Sequence, residues 1–200
     1  FAALLRCFKM KTTVKIALCA MLVLSMLASC ALIPYDTYGN NTGSSKAAFV
    51  DTERTYAVGN YGVSFSLAGD WNKTDAENFD LQLSSDKYGA NISVFVFYKV
   101  DLAENSSVEN LFNQQNDSLF ANRQNVTTVN EAKTETVGTK TVYSKTTSAE
   151  RDGNKNYYRT YMVDNSESKV LVWVLVNSAP SDMQKNQDYF DSIVKNVKFG

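Results

Sequence analysis

The 200-residue chain contains no histidine. That single absence removes Ser-His-Asp and Cys-His nucleophilic machinery and most zinc sites, because each relies on an imidazole near neutral pH. Cysteine is almost as scarce, with Cys7, Cys19 and Cys30 all falling in the first 30 residues. The chain beyond Cys30 therefore has no disulfide and no thiolate metal site, and it must hold its shape through its core. Proline occurs only at Pro34 and Pro180. There is no P-loop and no dinucleotide-binding glycine pattern. An EF-hand is absent too, since "DNSES" (164–168) lacks the glycine and the terminal glutamate of a calcium loop. No cofactor is implied.

What is present begins with a leader. Lys11 and Lys15 precede a stretch that carries no charge from Ile16 to Ser29. This is well short of the roughly 20 apolar residues needed to cross a bilayer as a helix. A basic start, a short apolar core and small residues at its end form the pattern of a secretory signal peptide. Met10 is the expected start, with residues 1–9 read as upstream sequence. Leu27-Ala28-Ser29-Cys30 resembles the lipobox of bacterial lipoproteins. That resemblance implies cleavage between Ser29 and Cys30 and a diacylglyceryl group on the Cys30 thiol. Two acyl chains are what stable anchoring generally takes. The chain is thus expected on a cell membrane, anchored by lipid and facing away from the cytoplasm.

Removing the leader changes the charge. Arg6, Lys9, Lys11 and Lys15 are the only charged residues before Cys30, so the rest carries 16 basic and 21 acidic residues, a formal charge of −5. The charges are dispersed, which argues against nucleic acid as a partner. Residues 30–48, rich in Gly, Asn, Ser and Thr, read as the lipidated cysteine and a flexible tether. Residues 49–200 are long enough for one domain with its own core.

Within that domain the pattern is mostly period two. Val63, Phe65 and Leu67 point one way after a Gly59-Asn60 turn, and Phe79, Leu81 and Leu83 alternate in the next run. "NISVFVFYKV" (91–100) and "KVLVWVLVN" (169–177) are apolar on both faces and predict central strands. Helical spacing replaces this at Val108, Leu111, Phe112, Gln115 and Leu119, with Ser106 and Glu109 as a capping box. Strand patterns then return, joined by Asp152-Gly153 and Asn165-Ser166 turns. Pro180, Ser181 and Asp182 open a last helix, with Met183, Tyr189, Phe190, Ile193 and Val194 placed to cover the sheet. The fold class is α+β, an antiparallel sheet with two helices.

The order of these elements, the "YGVSFSLAGDW" segment leading to Trp71 and the terminal "YFDSIVKNVKF" resemble the PsbP-like superfamily, which includes DcrB-like bacterial lipoproteins. Many members have a proline before the tryptophan, where this chain has Ala68-Gly69-Asp70. The resemblance implies an α/β/α sandwich and, in most members, protein binding or assistance to an assembly without catalysis. A fold spread over such different roles does not fix a function.

Little catalytic chemistry remains. Ser84-x-x-Lys87 and Ser166-x-x-Lys169 have the spacing of a Ser-Lys pair, but both fall at predicted turns, which do not align the two side chains. Asp75, Glu77 and Asp80, and Glu150 with Asp152, are candidate paired carboxylates or simply solvated loop charges. The binding candidates are aromatic. Tyr157, Arg159 and Tyr161 share one strand face, Tyr143 is placed on the strand beside them, and Trp71 lies in a loop. Tyr, Trp and Arg are enriched at hot spots. The competing reading packs them beneath a helix and puts Trp71 in the core.

The sequence therefore points to a membrane-anchored, non-catalytic module that binds a protein or an envelope component. The alternative is an extracytoplasmic enzyme or solute-binding lipoprotein acting on a small, carbohydrate-like ligand through carboxylates or an aromatic face.

Overall fold

A computed structural model of the chain describes residues 52–75, 78–103, 106–151 and 153–200. The leader, Ser29, Cys30, the tether, Glu77 and Asp152 lie outside the described residues.

The described residues begin with β1 (Glu53–Val58), β2 (Val63–Ala68), β3 (Asn72–Lys73), β4 (Leu81–Ser85) and β5 (Ala90–Tyr98). After a 3-10 turn (Lys99–Asp101) comes α1 (Val108–Phe120). The meander β6 (Gln124–Val137), β7 (Lys140–Arg151), β8 (Asn154–Asn165) and β9 (Val170–Ser178) leads into α2 (Pro180–Lys195) and β10 (Lys198–Phe199). The main sheet is antiparallel in the order β3-β4-β5-β9-β8-β7-β6. The two segments predicted to be central, β5 and β9, lie side by side in its middle, which is why neither has a polar face.

The first hairpin does not join this sheet. β1, β2 and β10 form a separate three-stranded sheet, because the chain end returns to pair Lys198 and Phe199 with Ser64 and Val63. This second sheet differs from the single sheet the strand pattern predicts, because the two-residue β10 is too short to leave a periodic signal.

Alternation along the main strands builds two cores, one on each face. Leu81, Leu83, Ile92, Val94, Val172, Val174 and Val176 point to the face covered by α2 and the small sheet, meeting Phe65, Leu67, Met183, Phe190, Ile193 and Val194. Leu171, Trp173, Leu175, Met162 and Tyr158 point to the other, where α1 brings Leu111, Phe112 and Leu119. The result is an α/β/α sandwich. Phe79, expected alongside Leu81 and Leu83, precedes β4 and packs on the α1 side instead.

Both helices start from sequence signals. The Ser107 side chain caps α1, accepting from the Asn110 N–H at 3.0 Å, one residue beyond the expected Ser106. Pro180 occupies the first turn of α2, with Asp182 near the positive end of its dipole and Lys195 near the negative end. Lys140 Nζ donates to the carbonyls of Lys195 and Val197, both at 2.8 Å, closing the carbonyl end of α2. Partial burial lowers the pKa of this lysine. Among the described residues no helix is long and apolar enough to cross a membrane.

Candidate binding surface

Tyr157, Arg159 and Tyr161 share one face of β8 as the alternation requires, and that face lies under α2. Arg159 is 6% exposed and Tyr161 1%. Their polar groups close on one another. The Arg159 guanidinium meets the Asp191 carboxylate of α2 at two points, Nε to Oδ1 at 2.7 Å and Nη2 to Oδ2 at 2.9 Å. Tyr161 donates its hydroxyl to Asp191 Oδ1 at 2.6 Å and accepts from Arg159 Nε at 2.8 Å. Arg159 Nη1 donates to Thr146 Oγ1 on β7 at 2.6 Å. Burial, above all, drives the Tyr161 hydroxyl pKa well above its usual value, with the Asp191 charge adding to it and Arg159 opposing. This is how a buried charge is kept tolerable: paired, and with further donors hydrogen-bonded to Tyr161 and Thr146. The cluster ties α2 to the sheet.

Tyr143 lies on the strand beside β8 but on the opposite face. It pairs in register with Met162 and packs against Phe112 of α1, ring centres 6.2 Å apart. The structure therefore does not bring Tyr143 together with Tyr157, Arg159 and Tyr161. Tyr157, half-buried, is the most accessible of that trio.

Trp71 is 1% exposed. Its indole N–H donates to Tyr189 of α2 at 2.9 Å, and its backbone carbonyl accepts from Tyr56 at 2.7 Å. Tyr88 is stacked between Trp71 and Tyr189, with ring centres 5.6 and 4.3 Å away. This aromatic stack welds the small sheet, the β4–β5 turn and α2 together. Gly69 makes the close approach possible: it sits at φ +107°, and a Cβ there would stand 3.0 Å from the Tyr88 ring. That is the local chemistry of the Ala68-Gly69-Asp70 segment that departs from the usual proline.

The carboxylates are used or dispersed. Asp80 Oδ2 accepts from the Val96 N–H at 2.8 Å, Glu150 accepts from Asn125 at 2.5 Å, and Asp75 is exposed. Among the described residues no group of three or more His, Cys, Asp or Glu side chains is placed to hold a metal ion. Ser84 and Lys87 are split between β4 and the following turn, and Ser166 and Lys169 flank the β8–β9 turn.

Two partners escaped the sequence reading. Asp191 stands among the apolar residues of the inner face of α2, and an acid there is itself a signal of a buried cation opposite. Asn116 of α1 accepts from Thr160 of β8 at 2.6 Å inside the other core; its Oδ1 gives Thr160 a partner where Gln115 was expected inward.

The most open part of the molecule is the β6–β7 ribbon at the sheet's end. β6 is exposed almost throughout, including Val126, Val129 and Val137.

No protein-family model matches the sequence, and no curated protein matches it. Solved structures do. The chain is similar to cyanobacterial PsbP (CyanoP) from Synechocystis sp., with a TM-score of 0.58 and 12% identity over 79% of this chain and 98% of CyanoP. The fold is PsbP-like. LpqN, involved in cell envelope biogenesis of Mycobacterium tuberculosis, is similar at a TM-score of 0.53 and 9% identity, covering 74% of this chain and 90% of LpqN. The Ran-binding protein Mog1p of Saccharomyces cerevisiae is similar at 0.52 and 9%, covering 74% and 96%. At these identities the likeness is one of fold. It agrees with the expectation of a PsbP-like α/β/α sandwich.

Proposed function

We propose that this chain is a membrane-anchored, extracytoplasmic module that binds a protein or envelope component as an accessory subunit and performs no catalysis. The observation that carries the reading is the match to the PsbP fold, spanning 98% of CyanoP and 79% of this chain. Two further structures with this fold come from a protein of cell envelope biogenesis and a Ran-binding protein, roles of assembly and binding. The interior supports it. The most chemically capable group, Arg159–Asp191–Tyr161, is consumed in holding α2 to the sheet.

The anchor belongs to the same proposal. Cleavage after Ser29 leaves Cys30 as the first residue, carrying the diacylglyceryl group, with the tether holding the domain off the membrane. Metabolic labelling with palmitate tests this directly. Label should enter the wild-type chain and vanish in Cys30→Ala, with the protein leaving the membrane fraction. Label that persists in the variant contradicts the anchor.

A further inference from the structure

We propose that the chain pairs with a second copy of itself along the outer edge of β6, over Lys133–Glu135. β6 ends the main sheet, and among the described residues no strand covers its outer side. Its two halves differ. Between Gln124 and Lys133 the register against β7 shifts at three places, each time setting an extra β6 residue against β7. Such bulges twist and blunt an edge. From Lys133 to Val137 the ladder is regular, each residue facing one partner down to Val137 opposite Lys140. Only this half is a straight template.

Charge selects the register. Lys133 and Glu135 point to the same face, two residues apart, and both are exposed. Edge charges normally deter pairing. Here their order makes them complementary in one arrangement. A two-fold antiparallel pairing centred on Thr134 sets Lys133 opposite Glu135 of the second copy, and Glu135 opposite its Lys133. Thr134 then meets Thr134. Opposite charges and Thr–Thr contacts are favourable cross-strand pairs. Shifting the centre by one residue sets Glu135 against Glu135, or Lys133 against Lys133, which is unfavourable. Among the described residues Lys133 has no ion-pair partner, while Glu135 already meets Lys195 at 2.7 Å and would stand between two lysines. The interface is isologous, as two-fold dimers require.

The test uses the full chain in neutral detergent, followed by sedimentation velocity across a rising concentration series. The wild type should double its mass as concentration rises. Lys133→Glu and Glu135→Lys should each stay monomeric, since either sets two like charges opposite. Mixing the two variants should restore a dimer, because every pair is then complementary, and the double variant should self-pair. Thr134→Cys should form an intermolecular disulfide on mild oxidation, whereas Thr128→Cys, in the bulged half, should not. Circular dichroism confirms that each variant is folded. A wild type monomeric throughout overturns the proposal, and so does a dimer indifferent to both charge reversals.

Discussion

The indole N–H of Trp71 donates to the hydroxyl of Tyr189, 2.9 Å away and 118 residues along the chain. Tyr189 in turn donates its hydroxyl hydrogen bond to the Ala68 carbonyl at 2.7 Å. Trp71, in the loop just before β3, is thereby a fixed point of the core, as the reading that packs it inside requires. Tyr189→Phe should leave the Trp71 donor buried and unpaired and lower stability by about 1–3 kcal/mol. Trp71→Ala, which also empties the stack, should cost about 3–5 kcal/mol. Urea denaturation followed by near-ultraviolet circular dichroism measures both.

Asp191 neutralises Arg159 in a site where the guanidinium is nearly enclosed. Asp191→Ala should therefore destabilise the fold by about 3 kcal/mol, the low end for a broken buried pair, since the carboxylate is itself a quarter exposed. Arg159→Met combined with Asp191→Leu should recover much of that loss, because no unpaired charge remains. A double variant worse than the single would show that the pair is worth more than its desolvation.

Alkaline pH should weaken the protein through Tyr161. Burial raises its folded-state pKa well above the ordinary value of 10.0. Its contribution is complete below about pH 10 and is lost above it, where the unfolded chain releases a proton that the folded chain retains. Melting temperature against pH should fall above pH 10, and Tyr161→Phe should flatten that fall. An unchanged slope would assign the alkaline loss to other groups.

Thr160 donates to Asn116 Oδ1 at 2.6 Å, a side-chain hydrogen bond between α1 and the interior of the sheet. Thr160→Val should cost about 1–3 kcal/mol by stranding the Asn116 oxygen. Adding Asn116→Leu should restore part of it, as a thermal double-mutant cycle would show.

How far the sequence could be read depended on the type of signal. Val63, Phe65 and Leu67 on one strand face, and Phe190, Ile193 and Val194 on α2, were legible because burial imposes a period. The central positions of β5 and β9 were legible because a strand covered on both faces has no polar alternate. What periodicity does not carry is which distant side chains meet. Tyr143 and Tyr161 occupy adjacent strands, yet register sets them on opposite faces. The spacing of Arg159 and Tyr161 fits either a partner-binding stripe or packing beneath a helix, and only the placement of Asp191 on α2 shows that their polar groups are already matched. The second sheet was hidden for a similar reason, since β10 is two residues closing on β2 from the far end of the chain.

As proposed, the anchored module acts by binding. Proximity crosslinking on intact cells, comparing wild type with Cys30→Ala and read by mass spectrometry, tests it most directly. We expect one dominant protein or envelope neighbour on the wild-type chain, lost when the anchor is removed. The same set of weak neighbours with and without Cys30 would contradict both the anchor and the accessory role.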